Sequence, residues 1–238
     1  MSQNTYQTYS FETPIDTMRS DFIRRKAMCA ALAGRYSVLQ EVGSACDAIV
    51  VQIDARRAEL QGAEDALVRA KALEDAEKID AVGAYATARA MMGAQDRSKL
   101  FAFLPEPPSS LGRMPSSRFS ERLSQAISNL RKLPEEHPVR KEYLGKLEAE
   151  QGAFDAADRA EDEVREQVRG LRLGLLVYRS ELARVRDAQL GAVQAATGDR
   201  SITAQFTIPW RRWNREGADD DGTAPATPPV SGTPGQNA

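Results

Sequence analysis

The stretch YLGKLEAEQGAFDAADRAEDEVREQVRGLRLGLLVYRSELARV, residues 143–185, decides how the chain folds. Within it Tyr143, Leu147, Phe154, Ala157, Val164, Val168, Leu171, Leu175, Tyr178, Leu182 and Val185 recur at alternating steps of three and four. Side chains so spaced share one face of an α-helix. Glu150 and Glu161 alone interrupt the stripe, both in its first half, where charges are densest. The pattern predicts a long amphipathic helix that lies along another helix.

Upstream, Pro134 and Pro138 separate this helix from a shorter one of about residues 117–133, with Phe119, Leu123, Ala126, Ile127 and Leu130 on one face. Before that, residues 93–116 hold Pro105, Pro107, Pro108 and Pro115 and read as a Pro-rich loop. Leu100, Phe101, Phe103 and Leu104 form an apolar knot in it, either a plug on the helix ends or a wedge offered to a bilayer. The stretch of about 22–92 contains no proline, and Leu39, Ile49, Ile53, Leu60 and Leu67 continue the three-four alternation. If continuous, this helix is about 100 Å long. Gly34, Gly43, Gly62 and Gly83 are its candidate bends or breaks. Thr13-Pro14 suits a helix start, and residues 1–13 read as a flexible arm. Downstream the long helix of about 138–196 ends near Gly198, and 197–238 reads as a disordered tail carrying Trp210 and Trp213.

These elements predict an all-α domain over 14–196, an elongated antiparallel hairpin or bundle with coiled-coil packing. Folding the chain at the break near residue 114 lays Ala70 beside Asp158 and Leu39 beside Gln189. The packing seam is then Leu39, Ile49, Ile53, Leu60 and Leu67 against Val164, Val168, Leu171, Leu175 and Leu182. A two-helix hairpin leaves part of this stripe exposed, and a second copy covers it economically. The expected partner is therefore another copy of the chain.

Composition narrows function by exclusion. A formal net charge of −2 argues against a surface that as a whole seeks nucleic acid or anionic lipid. Cys29 and Cys46 form no C-x-x-C; seventeen residues apart on one helix, they point in different directions and suit a reducing compartment. No signal-like segment and no apolar run near 18 residues is found, which predicts a cytoplasmic protein with at most peripheral membrane contact. His137, the one histidine, stands in a turn without a nucleophile near it, and Glu161-Asp162-Glu163 point in successive directions. Phosphate-loop, dinucleotide and nucleophile-elbow motifs are missing. The chain is expected to be no enzyme and to use no cofactor, metal or small-molecule substrate.

Charge placement is more informative. Residues 54–80 hold eight acidic and five basic side chains, and 148–169 hold eight and three. Residues 96–146 reverse the balance with ten basic and six acidic, so cations gather where helices turn. Arg97, Lys99, Arg113, Arg118, Arg122, Arg131 and Lys132 are the candidate lipid-phosphate contacts, each worth about 1 kcal/mol at an anionic leaflet. Phe101, Phe103, Trp210 and Trp213 are candidate membrane anchors.

ISNLRKLPEEHPVRKEYLGKLEAEQGAFDAADRAEDEVREQVR, residues 127–169, resembles a segment of the fungal eisosome core proteins, in the BAR-domain superfamily of curved helical dimers. The likeness lies in a leucine-plus-basic helix end, the turn from Pro134 to Pro138, and a helix start through Leu147 and Glu148, and it extends loosely over about 19–195. It implies a homodimer that binds phosphoinositide-rich membrane at the inner face of the plasma membrane through basic residues, shapes or senses curvature, and polymerises there. The alternative is a cytosolic coiled-coil adaptor or filament subunit without lipid affinity, whose seams recruit protein helices. A third reading, single-stranded nucleic acid stacked on the WRRWNR stretch of residues 210–215, sits poorly with the acidic balance.

Overall fold

The computed structural model describes Tyr9 and residues 13–208. In chain order the helices are α1 (Ile15–Leu32), α2 (Val38–Gln95), α3 (Arg97–Phe103), α4 (Pro108–Gly112), α5 (Ser116–Arg131), α6 (Pro138–Thr197) and α7 (Arg200–Ala204). Every regular element among the described residues is helical, so the fold is all-α. None of these helices is long and apolar enough to cross a membrane.

The expected helix of about 22–92 is two helices. The Leu32 carbonyl accepts from both Arg35 N and Tyr36 N, at 2.9 and 3.3 Å, which closes α1 in a tight turn around Gly34 before α2 begins. Of the four candidate glycines this one breaks the helix, while Gly43, Gly62 and Gly83 lie inside α2. Gly43 has a packing reason to be glycine, because a Cβ there would stand 3.2 Å from the Cys29 Cβ of α1. Cys29 and Cys46 therefore belong to different helices, both buried and both reduced, rather than to one helix that points them apart. Burial pushes the Cys29 thiol up to about 11 and raises that of Cys46 as well.

The chain divides into two compact units, Arg56–Leu175 and the remainder, and α2 and α6 contribute a segment to each. In the Arg56–Leu175 unit the core joins Ala81, Tyr85, Ala88 and Met92 of α2, Phe119, Leu123, Ala126, Ile127 and Leu130 of α5, and Val139, Tyr143, Leu147 and Phe154 of α6. Phe119 meets Phe154 edge-on, ring centroids 4.7 Å apart. The stretch expected as a loop, 93–116, contains α3 and α4. Asp96 caps α3 by accepting from Lys99 N, and Pro108 occupies the first turn of α4, where its missing N–H costs nothing. Away from this core the unit thins: Ala63 and Val168 are buried, but Leu60, Leu67, Val164, Leu171 and Leu175 of the expected seam are only half-buried. Arg172 of α6 bonds Glu64 of α2 at 2.7 Å, and Glu161 lies beside Glu74, so here the two helices run in opposite directions.

In the other unit Leu39, Ile53 and Leu182 are buried and Ile49 is half-buried. Cys46 donates to Gln189 Oε1 at 3.3 Å and Tyr178 donates to Gln52 at 3.0 Å, again an antiparallel pairing. Gln189 thus meets Cys46, one heptad along from the expected Leu39. Between α2 and α6 the chain forms α3, α4 and α5 rather than a single break near residue 114.

Both ends of the described chain are fastened in this unit. The fully buried Asp21 carboxylate accepts from the Tyr9 hydroxyl (2.7 Å), Arg25 Nη2 (2.6 Å), Arg186 Nε (3.3 Å) and the Ile208 backbone N–H (2.8 Å). Burial and this carboxylate push the Tyr9 hydroxyl well above its ordinary value. Arg24 Nε donates to the Gln205 carbonyl at 3.0 Å. The tail expected to begin at residue 197 therefore starts with structure: Gly198 turns the chain at φ +67°, Asp199 caps α7, and Phe206 is fully buried. An aromatic anchor and a capped helix outweigh the polar composition on either side. Tyr9 and Thr13, expected in a flexible arm, are likewise half-buried and buried. The rest of the arm and of the tail lies outside the described residues.

Candidate functional site

The α4–α5 junction gathers cations because prolines phase the two helix starts. Pro107 and Arg113 are the N-cap and C-cap of α4; Pro115 is then the N-cap of α5, placing Arg118 in the first turn and Arg122 one turn later. Ser110, Arg113, Met114, Pro115, Arg118, Glu121 and Arg122 line an open cleft of about 380 Å³. Among the described residues no side chain caps α5. Its first helical bond runs from Phe119 N to the Pro115 carbonyl at 2.9 Å, so the N–H groups of the preceding turn are free to face an anion. Among the described residues Arg113 and Arg118 form no salt bridge, and Arg122 reaches Glu106 only at 3.7 Å. All three guanidiniums are exposed.

The other four basic candidates do not line this cleft. Arg97 and Lys99 belong to α3, where Lys99 pairs with Asp96 at 2.8 Å. The Lys99 and Ser98 side chains hold the Asp96 carboxyl down at about 2. Arg131 grips Glu148 through Nε and Nη2 at 3.0 and 2.8 Å, and Lys132 donates to Asn129 at 3.2 Å. The two phenylalanine anchors part company as well. Phe103 packs against the core, as a plug would, whereas Phe101 is 66% exposed with the Arg89 guanidinium 5.8 Å from its ring centre. Trp210 and Trp213 lie outside the described residues.

Behind the cleft, on the α2–α6 seam, Glu74, Asp158 and Glu161 bring carboxylate oxygens within 4.8 Å of one another. Sequence reasoning set aside Glu161 because its neighbours Asp162 and Glu163 diverge from it. It missed that Asp158, one turn back, and Glu74, on another helix, converge on it. The trio has the donor type of a hard-cation site, yet Glu74 and Glu161 are already engaged. Glu74 accepts from Lys71 Nζ at 2.5 Å and from the Ser116 hydroxyl, and Glu161 accepts from Arg165 at 2.5 Å. Burial pushes the Glu74 carboxyl up, but its bonds from Lys71 and Ser116 outweigh this and hold it below the ordinary value. Asp158 is raised by burial and by the charges of Glu74, Asp162 and Asp155.

Comparison with known proteins adds no relative: no family model matches the chain, and neither does any curated protein or solved structure. The functional reading therefore rests on the chain's own geometry. That geometry offers an outward cleft of three arginines at an uncapped helix start, suited to holding phosphate or carboxylate groups by charge-assisted hydrogen bonds.

Proposed function

We propose that the chain is a peripheral membrane-binding scaffold in which α2 and α6 form an elongated, BAR-like antiparallel hairpin that dimerises and polymerises on anionic membrane at the cytoplasmic face of the plasma membrane. The convergence of Arg113, Arg118 and Arg122 on one exposed cleft carries this reading. Guanidiniums match phosphate oxygens in pairs, and at about 1 kcal/mol each the three of one chain, doubled in the proposed dimer, reach the five or six that suffice for peripheral attachment. Phe101, on the helix before, adds an apolar side chain of the kind that enters a headgroup layer. Curvature sensing or shaping, as in eisosome-like assemblies, would follow from a dimer whose cationic surfaces meet the bilayer together.

Co-sedimentation with phosphatidylserine vesicles tests the proposal. The full chain binds at low ionic strength and releases as salt rises, because exposed charges are screened within about 10 Å at 0.1 M salt. Reversing Arg113, Arg118 and Arg122 to glutamate weakens binding by roughly 100-fold, from about 1 kcal/mol per cation. Equal binding by wild type and the triple variant sinks the lipid reading.

A second reading, a cytosolic coiled-coil adaptor, is favoured by one observation. Val68 and Ile79 on α2 are each 70% exposed, and Ile79 lines an open groove of about 450 Å³ with Asp75, Lys78, Val82 and Gly112. The adaptor predicts that the arginine reversals leave localisation unchanged while Ile79→Asp abolishes assembly.

A further inference from the structure

Arg113 and Arg118 stand on either side of Pro115, and the backbone between them is held from α2. Lys78 Nζ donates to the Met114 carbonyl at 2.5 Å, with its ammonium 5.3 Å from the centre of the Phe119 ring. One turn earlier on α2, the fully buried Glu74 accepts from the Ser116 hydroxyl, while Lys71 holds its other oxygen. The residues immediately before and after Pro115 are thus each tied to α2 by a charged side chain. Neither Glu74 nor Lys78 lines the arginine cleft. Pro115 fixes only its own φ, so on its own it leaves the two flanking arginines free to splay.

We infer that Glu74 and Lys78 are positioning residues for the cleft: through Ser116 and Met114 they set the spacing of Arg113 and Arg118 so that both guanidiniums and the open start of α5 face one anionic group together. The latch rests on the membrane reading above and deepens it by naming what organises that site. Its advantage is pre-organisation. Cations already in place when they meet a phosphate lose less freedom on binding than cations on a loose junction. A buried carboxylate beside two others is costly to keep without a partner, and the Ser116 and Lys71 donors supply that partnership at the point where the junction must be held.

The test uses the full chain with phosphatidylserine–phosphatidylcholine vesicles and three variants. Ser116→Ala removes the donor to Glu74, Ser116→Thr keeps a hydroxyl there, and Lys78→Met keeps the stem without the charge. Ser116→Ala and Lys78→Met are expected to bind roughly fivefold more weakly, the loss of about one well-placed cation, and Ser116→Thr to bind as wild type. The salt dependence of binding also becomes shallower in the two weakened variants, because fewer charges meet the surface at once. A purely structural role lowers the melting temperature but leaves the folded protein's affinity and salt dependence alone. If Ser116→Ala and Lys78→Met match wild type in both while Arg113→Glu with Arg118→Glu abolishes binding, the latch is overturned and the membrane reading stands. If the arginine-reversed chain binds as wild type, the membrane reading fails. Amide hydrogen exchange across residues 113–119 without lipid then decides the latch alone: faster exchange in Ser116→Ala and Lys78→Met supports it, and unchanged exchange overturns it.

Discussion

Two fully buried carboxylates, Asp21 in one unit and Glu74 in the other, perform related tasks in opposite electrostatic company. Asp21 is surrounded by donors. Two guanidiniums, a phenol and a backbone N–H converge on it, and the cations are themselves stacked, Arg25 4.7 Å over the Phe22 ring and Arg186 4.6 Å over Tyr9. Glu74 has one ammonium and one hydroxyl but shares its space with Asp158 and Glu161. Surplus positive charge makes the first carboxylate a clasp that is costly to open. The neighbouring carboxylates make the second a weaker tie, one that a competing cation can loosen. The clasp holds Tyr9 and Ile208 at the two ends of the described chain, and the tie holds the junction that carries the arginine cleft.

The largest effect expected from this difference is on Asp21. Asp21→Asn leaves Arg25 and Arg186 buried without their shared anion, and breaking a buried pair by removing one partner costs about 3–5 kcal/mol. Glu74→Gln removes a charge from a crowded acidic site and keeps a hydrogen-bonding oxygen for Ser116, so it costs about 1–3 kcal/mol at most, the scale of one buried unsatisfied group. Urea unfolding of the two variants ranks them directly. A Glu74→Gln loss as large as that of Asp21→Asn breaks the comparison, because it would mean that the carboxylate trio is not repulsive.

A smaller effect tests how the clasp is loaded. Gly198 is the one described residue at positive φ, +67°, and it turns the chain out of α6 toward α7 and the strap that delivers Ile208 to Asp21. Among the described residues, an added Cβ there meets no atom within 4 Å beyond its chain neighbours. Gly198→Ala therefore pays only the left-handed backbone term, about 1 kcal/mol. Its expected signature is a lower melting temperature together with faster exchange of the Ile208 amide. Loss of stability without faster exchange at Ile208 would separate the turn from the clasp.

How much of this was legible in sequence depends on whether a feature is periodic or convergent. The faces of α5 and α6 could be read because Phe119, Leu123, Ile127, Leu147 and Phe154 repeat at helical spacing, and repetition survives without knowledge of partners. The break at Gly34 could not be chosen over Gly43, because what distinguishes them is tertiary: Cys29 of α1 presses on Gly43. The cleft was half-visible. Its three arginines stood among seven basic candidates, but their convergence depends on prolines that start short helices, in a stretch that composition alone reads as loop. Asp21 and Glu74 carried no signal at all, since a charged residue on a helix reads as solvent-facing until the donors arriving from other elements are known.

The smallest prediction concerns Asp158, whose carboxyl is shifted in the opposite direction to that of Glu74 beside it. Its carboxyl is raised in the folded chain, by burial first and then by the charges of Glu74, Asp162 and Asp155, with Lys71 opposing. A carboxyl raised on folding contributes stability that is present below its unfolded value and lost as pH rises through the folded value. Glu74, held below its ordinary value, acts the other way: its contribution is present above the unfolded value and lost as pH falls through the folded one. Asp158→Asn imitates the protonated state, so at neutral pH it should stabilise the chain by about 0.2–1 kcal/mol, the range for a partly exposed charge. That gain should shrink as the pH is lowered and wild-type Asp158 takes up its own proton. Denaturant titrations at neutral and at mildly acidic pH give the two values. A gain that is the same at both would show that neither burial nor the acidic neighbours raise Asp158, and the contrast between a donor-rich clasp and an acid-rich tie would then rest on Asp21 alone.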